Sequence, residues 1–288
     1  MNILTFDIEE WYIWEKMGFL TPEKRAEYDR RLDLLLDLLD SRGVKGTFFC
    51  VGMMGERFPD VIRKIYGRGH EIGCHSYIHT WLNKMSEKEC REDTRSAIDR
   101  LEQCTGEKVL SYRAPAFSVG EENRWVFSIL AENGITRDSS VFPAKRDFGG
   151  FPSFGADTPS IIRCGDKAIK EFPIPITSTI AGQTAFSGGG YFRLFPYGFV
   201  SSRMKKRNYN ICYFHLADFV KERKFSREEY EAYFKEKAGL LSTRIRSFKT
   251  NVGKGRSWNK FERLLSSFEF VSVAEADKSI DWNALERE

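Results

Sequence analysis

Short apolar runs alternate with longer segments of helical period from residue 2 to about residue 141, and few architectures accept that rhythm. Residues 2–7 read as a strand. Residues 24–42 carry Leu32, Leu35, Leu36 and Leu39 at helical spacing, and Gly43 stops them. The stretch GVKGTFFCVG reads as a strand between glycines, residues 54–68 as a helix, and HEIGCH as a third strand. Ser86 and Glu89 have the spacing of a capping box at the head of a helix that ends at Gly106. KVLSYRAP is strand-like, residues 121–133 are helical, and ITRDSSVF resumes a strand. A βαβα series of this length predicts a parallel sheet, open or closed into a barrel.

The second half is less regular. Residues 145–200 are richer in Gly, Pro and Phe, with short strand-like pieces such as AIKEFPI, and read as an insertion or sheet extension. NICYFHLADF reads as a late core strand ending at His215. Helices near 226–247 and 257–268 and a last strand-like piece, FEFVSV, follow. The 288 residues, 41% hydrophobic, are expected to form one domain, 1–288, whose residues 226–288 are a helical C-terminal extension. A net charge of +4, spread along the chain, makes no case for nucleic acid, and the Arg203–Arg207 cluster reads as a solvated face. No apolar run approaches the roughly 18 residues of a membrane span. The N-terminus lacks a signal-peptide pattern, so a cytoplasmic location, with membrane-peripheral association as the variant, is expected. The six cysteines form no CxxC pair and are expected to be reduced, packed thiols.

The chemistry-bearing residues fall at the C-terminal ends of the expected strands, where parallel α/β folds place their sites. TFDIEEW ends a strand with Asp7, Glu9 and Glu10. Strand alternation points Asp7 and Glu9 the same way and leaves Glu10 as the alternative. Carboxylates this close are costly unless a cation joins them. In GCHSYIH, a helical turn after the strand would put His75 and His79 on one face, a pairing that suits zinc and related divalent metals. Two histidines and one acid leave a position for water. The competing readings are helix capping for the acids and ordinary packing for the histidines. Arg113, in SYRAP, is placed to fork onto a carboxylate. Asp138, in RDSS, is an acid that could orient His215, itself otherwise a core histidine. His70, at a helix-to-strand turn, reads as structural.

TFDIEEW, GCHSYIH, YRAPAFS, RDSS and YFHLADF, in this order, resemble the five motifs of the NodB-type polysaccharide deacetylases, carbohydrate esterase family 4. SGGGYFRLFPY and NKFERLLSSF resemble the subgroup with a C-terminal extension. The resemblance implies a distorted (β/α) barrel of about seven parallel strands and metal-dependent removal of N-acetyl groups from amino sugars. Carried over, Asp7 matches the catalytic base, His75 and His79 the metal ligands, and Arg113 the arginine that holds the base. Asp138 and His215 match the pair that supplies the general acid. One divalent ion is implied, zinc first, cobalt or nickel as alternatives. The family's second aspartate is replaced here by Ile8, Glu9 and Glu10, and the family's aromatic after the RxP proline by Ala116. The Ala116 N–H remains an oxyanion donor, and Phe117 replaces the lost wall. Trp11, with Phe117, is a candidate sugar-stacking surface, as are Trp81 and Phe154. The expected partner is an N-acetylated carbohydrate of a surface or exopolysaccharide, or its precursor. A cyclic-amide or formamide hydrolase, or a non-catalytic carbohydrate-binding relative, is the alternative on the same scaffold.

Overall fold

β1 (Asn2–Ile8) is buried from Ile3 onward and lies inside a curled sheet, paired on both sides. The computed structural model describes residues 1–146, 149–180, 182–220, 226–234 and 251–285. The remaining strands are β2 (Thr47–Cys50), β3 (Glu71–Cys74), β4 (Ser111–Tyr112), β5 (Arg137–Asp138), β6 (Ser160–Cys164), β7 (Lys167–Glu171), β8 (Ile176–Thr179), β9 (Gly182–Ala185) and β10 (Asn210–His215). The sheet runs β10-β1-β2-β3-β4-β5-β7-β6, with β8 and β9 paired apart from it. Every neighbour in it is parallel except the edge pair β6–β7, so seven strands share one direction. This is the distorted (β/α) half-barrel that the motifs imply.

Helices cover the convex face: α1 (Glu10–Lys16), α2 (Pro22–Ser41), α3 (Gly52–Arg57), α4 (Pro59–Gly67), α5 (Glu87–Thr105) and α6 (Val126–Glu132). Further on come α7 (Gly189–Leu194), α8 (Tyr197–Lys205), α9 (Arg227–Phe234), α10 (Lys254–Ser267) and α11 (Val273–Ser279). Leu32, Leu35, Leu36 and Leu39 of α2 are buried in one cluster with Leu4, Phe6 and Ile8, the outward face of β1. Each fully buried leucine contributes roughly 1.5–3 kcal/mol. The opposite face of the sheet gathers Ile3, Phe49, Phe117, Phe142, Tyr213 and Val273 into a second cluster inside the curl. All six cysteines are free, four of them buried.

Several elements depart from the sequence pattern for local reasons. The helix expected over 54–68 breaks at Phe58 (φ −137°, ψ 51°), because Pro59 excludes its predecessor from helical geometry. KVLSYRAP and ITRDSSVF shrink to two paired residues each. FEFVSV is not a strand. Val271 makes a single bridge to Ile3, and Ser272 then caps α11 through a capping box with Glu275. Of the helix expected over 226–247, Arg227–Phe234 is present and 235–247 lie outside the described residues.

Candidate metal centre and catalytic cleft

The register of β1 builds the site. Asp7 lies level with His215 of β10 on one side and Phe49 of β2 on the other. Ile8 turns outward into the core, so Asp7 and Glu9 share the inner face, as alternation requires. Glu9 then caps α1, and the turn brings Glu10 inside too. The Glu10 carboxylate accepts the Ala217 N–H (2.8 Å) and the Glu9 N–H (3.3 Å), which commits it to backbone. Burial pushes its pKa up to about 7.

His75 follows β3 and is 1% exposed. Its Nδ1 lies 2.7 Å from the Arg113 carbonyl. A carbonyl only accepts, so Nδ1 carries the proton and the Nε2 lone pair faces the cleft, the orientation of a metal-binding imidazole. His75 Nε2 and His79 Nε2 stand 3.6 and 2.5 Å from one oxygen, Glu9 Oε2. That oxygen is buried and has no hydrogen-bond partner among the described residues. Burial opposes its charge, but His79 and His75 hold Glu9 well below the usual carboxylate range. One carboxylate oxygen and two imidazole nitrogens, mutually within 4.8 Å, are a donor set that fits a zinc-like dication.

The two histidines do not converge on a helix, as the HxxxH spacing suggested. Residues 75–80 are non-helical, with Ser76 (φ 61°) and His79 (φ 59°) in the left-handed region. The loop is clasped from two sides, by α3 and by α5. Gly52 N–H donates to Ser76 O (2.8 Å), Met53 N–H to Tyr77 O (3.0 Å), and Tyr77 N–H to the Asp93 carboxylate of α5 (2.8 Å). Burial raises Asp93 to about 6.

Arg113 is fully buried, with every nitrogen employed. Nη1 donates to Asp7 Oδ1 (2.8 Å) and Thr5 Oγ1 (2.9 Å), Nη2 to Ser139 Oγ (3.0 Å), and Nε to Ser139 O (3.2 Å). The guanidinium also lies 4.3 Å from the Phe49 ring centroid. This arrangement fixes Asp7 Oδ1 and leaves Oδ2 toward His215, 3.8 Å from its Nε2.

Asp138 and His215 are not brought together as a pair. Asp138 accepts from the Ser140 N–H (3.0 Å) and hydroxyl (2.7 Å) and lies against Glu171. Burial, reinforced by Asp138, pushes Glu171 well above the normal range. The acid that faces His215 is Asp218, three residues on in HLAD. Asp218 Oδ2 accepts the His215 N–H (2.9 Å) and lies 3.7 Å from His215 Nδ1. Arg193 Nε stands 2.8 Å from Asp218 Oδ1. Burial favours the neutral ring, but Asp218, Glu9 and Asp7 together raise His215 to about 10. Asp218, Arg193 and Asp93 escaped the sequence reading. The i+3 spacing of Asp218 was the one available signal, and the other two lie far off in the chain.

Trp11 is not a sugar-facing wall. It is fully buried, donating from Nε1 to Asp29 (2.8 Å) and packing on Tyr28 between α1 and α2. Phe117 is 4% exposed and packs edge-on to Tyr213 (5.1 Å). Ala116 is partly exposed with φ 54°, and its N–H has no acceptor among the described residues. Trp81 and Phe154 are partly buried. His70 is structural, as expected: its Nδ1 accepts the Gly46 N–H (3.2 Å).

A parallel half-barrel with an acid and two histidines gathered at its strand ends defines a NodB-like fold. Residues 3–137 match the family model "Polysaccharide deacetylase", and residues 139–278 a "Domain of unknown function (DUF3473)". The first of these segments, residues 3–137, belongs to the polysaccharide deacetylase family. A peptidoglycan-N-acetylglucosamine deacetylase of Bacillus cereus is 36% identical over 96 residues, 29% of this chain and 35% of that protein. The chain spans about a third of the length of the curated relatives it matches. Among solved structures, a Mycobacterium smegmatis protein assigned to the polysaccharide deacetylases superposes with a TM-score of 0.58 at 18% identity, covering 99% of this chain and 91% of that one. PuuE allantoinase follows at 0.57 and 17%, covering 97% and 84%. At these identities the likeness is one of fold. No helix among the described residues is long and apolar enough to cross a membrane.

Proposed function

We propose that this chain is a metal-dependent hydrolase that removes N-acetyl groups from an amino sugar of a surface or exopolysaccharide, or of its precursor. The supporting observation is the convergence of a Glu9/His75/His79 donor set on an Arg113-held Asp7 and an Asp218-backed His215. Glu9, His75 and His79 would hold one divalent ion, zinc in the first instance. When bound, such an ion polarises the amide carbonyl and lowers the pKa of water. Asp7, its Oδ1 fixed by Arg113, takes the proton of the attacking water through Oδ2. His215 is held protonated by its carboxylate neighbours and gives its proton to the departing amine. The Ala116 N–H donates to the oxyanion.

The test combines elemental analysis with acetate release from N-acetylglucosamine oligomers. The wild-type chain is expected to carry about one divalent ion and to release acetate. His75→Ala should lose the ion. Asp7→Asn should keep the ion and lose turnover by roughly 10²–10⁴-fold. Retention of metal by His75→Ala, or full activity in Asp7→Asn, overturns the assignment of that residue. Hydrolysis of a cyclic amide or formamide without acetate release assigns the same machinery to the alternative substrate class.

A further inference from the structure

Arg146 stands beside this machinery and takes no part in it. It lies in the segment after β5, partly buried, and its Nη1 donates to Ala116 O (3.2 Å). Its guanidinium is 5.0 Å from the centroid of Phe117 and 4.7 Å from that of Phe142. The Phe117 ring also carries the Arg113 guanidinium, at 5.6 Å. One aromatic ring therefore separates Arg146 from the arginine that holds Asp7. Tyr191, of the SGGGYFRLFPY stretch, lies tilted against Phe142 at 6.2 Å.

The two arginines differ in what answers their charge. Arg113 has Asp7, Thr5 and Ser139 on its donors. Among the described residues no carboxylate faces Arg146, and its one hydrogen bond goes to a carbonyl. A guanidinium has five N–H donors in a planar fork. The aromatic rings hold that fork in place, and with no carboxylate on it among the described residues its remaining donors are left for an anion. The fork sits next to Ala116, whose N–H is the candidate oxyanion donor, so an anion bound there would belong to the molecule being hydrolysed.

We propose that Arg146 receives an anionic group of the substrate, a carboxylate or phosphate on or next to the N-acetylated sugar, so that the enzyme selects charged over neutral glycans. The proposal rests on the deacetylase reading of the adjacent site. In this arrangement the aromatic rings orient the guanidinium, and its bond to Ala116 O sets the distance between anion subsite and reacting amide.

Acetate release is measured on three substrates: a neutral N-acetylglucosamine oligomer, one with a carboxylate-bearing sugar, and a phosphorylated N-acetyl sugar. Wild type, Arg146→Gln and Arg146→Lys are compared, with binding of each substrate followed by calorimetry. In Arg146→Gln the ratio of kcat/KM on the charged substrate to that on the neutral one should fall about 10–100-fold, mostly through KM. Arg146→Lys should recover part of the loss, because it keeps the charge and loses the fork. Selective loss on the carboxylated or on the phosphorylated substrate supports the proposal and names the anion. An equal loss on all three substrates, or none, overturns it and leaves Arg146 as a buttress of the Ala116 carbonyl. If wild type releases acetate from none of them, the deacetylase reading fails while calorimetry still decides the subsite. Tighter binding of the charged ligand by wild type than by Arg146→Gln supports it, and equal binding overturns it.

Discussion

Each imidazole is assigned its task by the partner of its second nitrogen. His75 gives its Nδ1 proton to a carbonyl and keeps Nε2 for the cleft, whereas His70 uses Nδ1 to accept the Gly46 N–H and cannot also hold a proton there. Burial, helped by Lys45 and Arg68, pushes His70 down to about 4. The unfolded chain takes up that proton near pH 6.5. Between these values the unfolded state binds more protons than the folded one, so stability is full above about pH 6.5 and declines as pH falls toward about 4. The loss approaches roughly 3 kcal/mol. Urea unfolding of wild type and His70→Gln at about pH 7.5 and pH 4.5 should show the steeper acid loss in wild type. Parallel losses would mean that His70 is not the group refusing the proton. The same scale explains why Glu9 rather than Glu10 is the acid of the candidate donor set. Both acids are buried, but the oxygens of Glu10 are occupied by two backbone N–H groups, while Glu9 Oε2 faces two imidazoles.

The loop between β3 and α5 shows what a motif is worth at the scale of an element. HSYIH contains the right residues at a spacing that a helix would satisfy, yet the chain reaches the same convergence through two left-handed residues. The strain of those residues is met by the clasp of α3 and of Asp93 on α5. Gly52 makes that clasp possible, since a Cβ there would lie 2.6 Å from Ala97 Cα and 2.8 Å from the Tyr77 ring. Gly52→Ala is expected to destabilise by about 1–3 kcal/mol and to weaken metal binding, because pushing α3 away releases the 76–77 backbone. Thermal unfolding and metal titration on the same sample check both effects. Wild-type metal affinity in a destabilised Gly52→Ala chain would detach the loop from the clasp.

The two matched family segments share one sheet, since β7 and β10 complete the parallel order begun by β1–β5. At the end of the sheet away from the metal set, Glu71 ties them together. It accepts from Thr47 Oγ1 (2.5 Å), Ser111 Oγ (2.5 Å), Arg137 Nη2 (3.2 Å) and the Ala274 N–H of α11 (2.9 Å). Asp277 of α11 adds ion pairs with Arg137 (3.3 Å) and Lys170 (2.6 Å). Glu71→Ala removes one of the two carboxylate partners of Arg137 and the acceptor of three other donors, so a loss of roughly 1–3 kcal/mol is expected. Because the cluster is remote from the cleft, the folded fraction should still bind metal one to one. Unfolding curves and metal stoichiometry measured together separate the two effects.

The alternation of apolar strands and leucine-spaced helices determined the parallel sheet without any tertiary information, because strand and helix periods are local properties of the chain. Strand-end placement likewise marked Asp7, Glu9, His75, Arg113 and His215 as neighbours, since parallel strands bring their C-terminal ends to one rim. Pairings between distant segments were not legible. That Asp218 rather than Asp138 faces His215 depends on a 3₁₀ turn after β10 and on the Glu171 that β7 lays beside Asp138. That Trp11 is core depends on how α1 packs against α2. That FEFVSV forms one bridge and then a helix depends on whether a capping box or a sheet edge wins its backbone. Periodicity states which face of an element is apolar. What that face meets is decided by register and packing, and these exist only once the whole chain has folded.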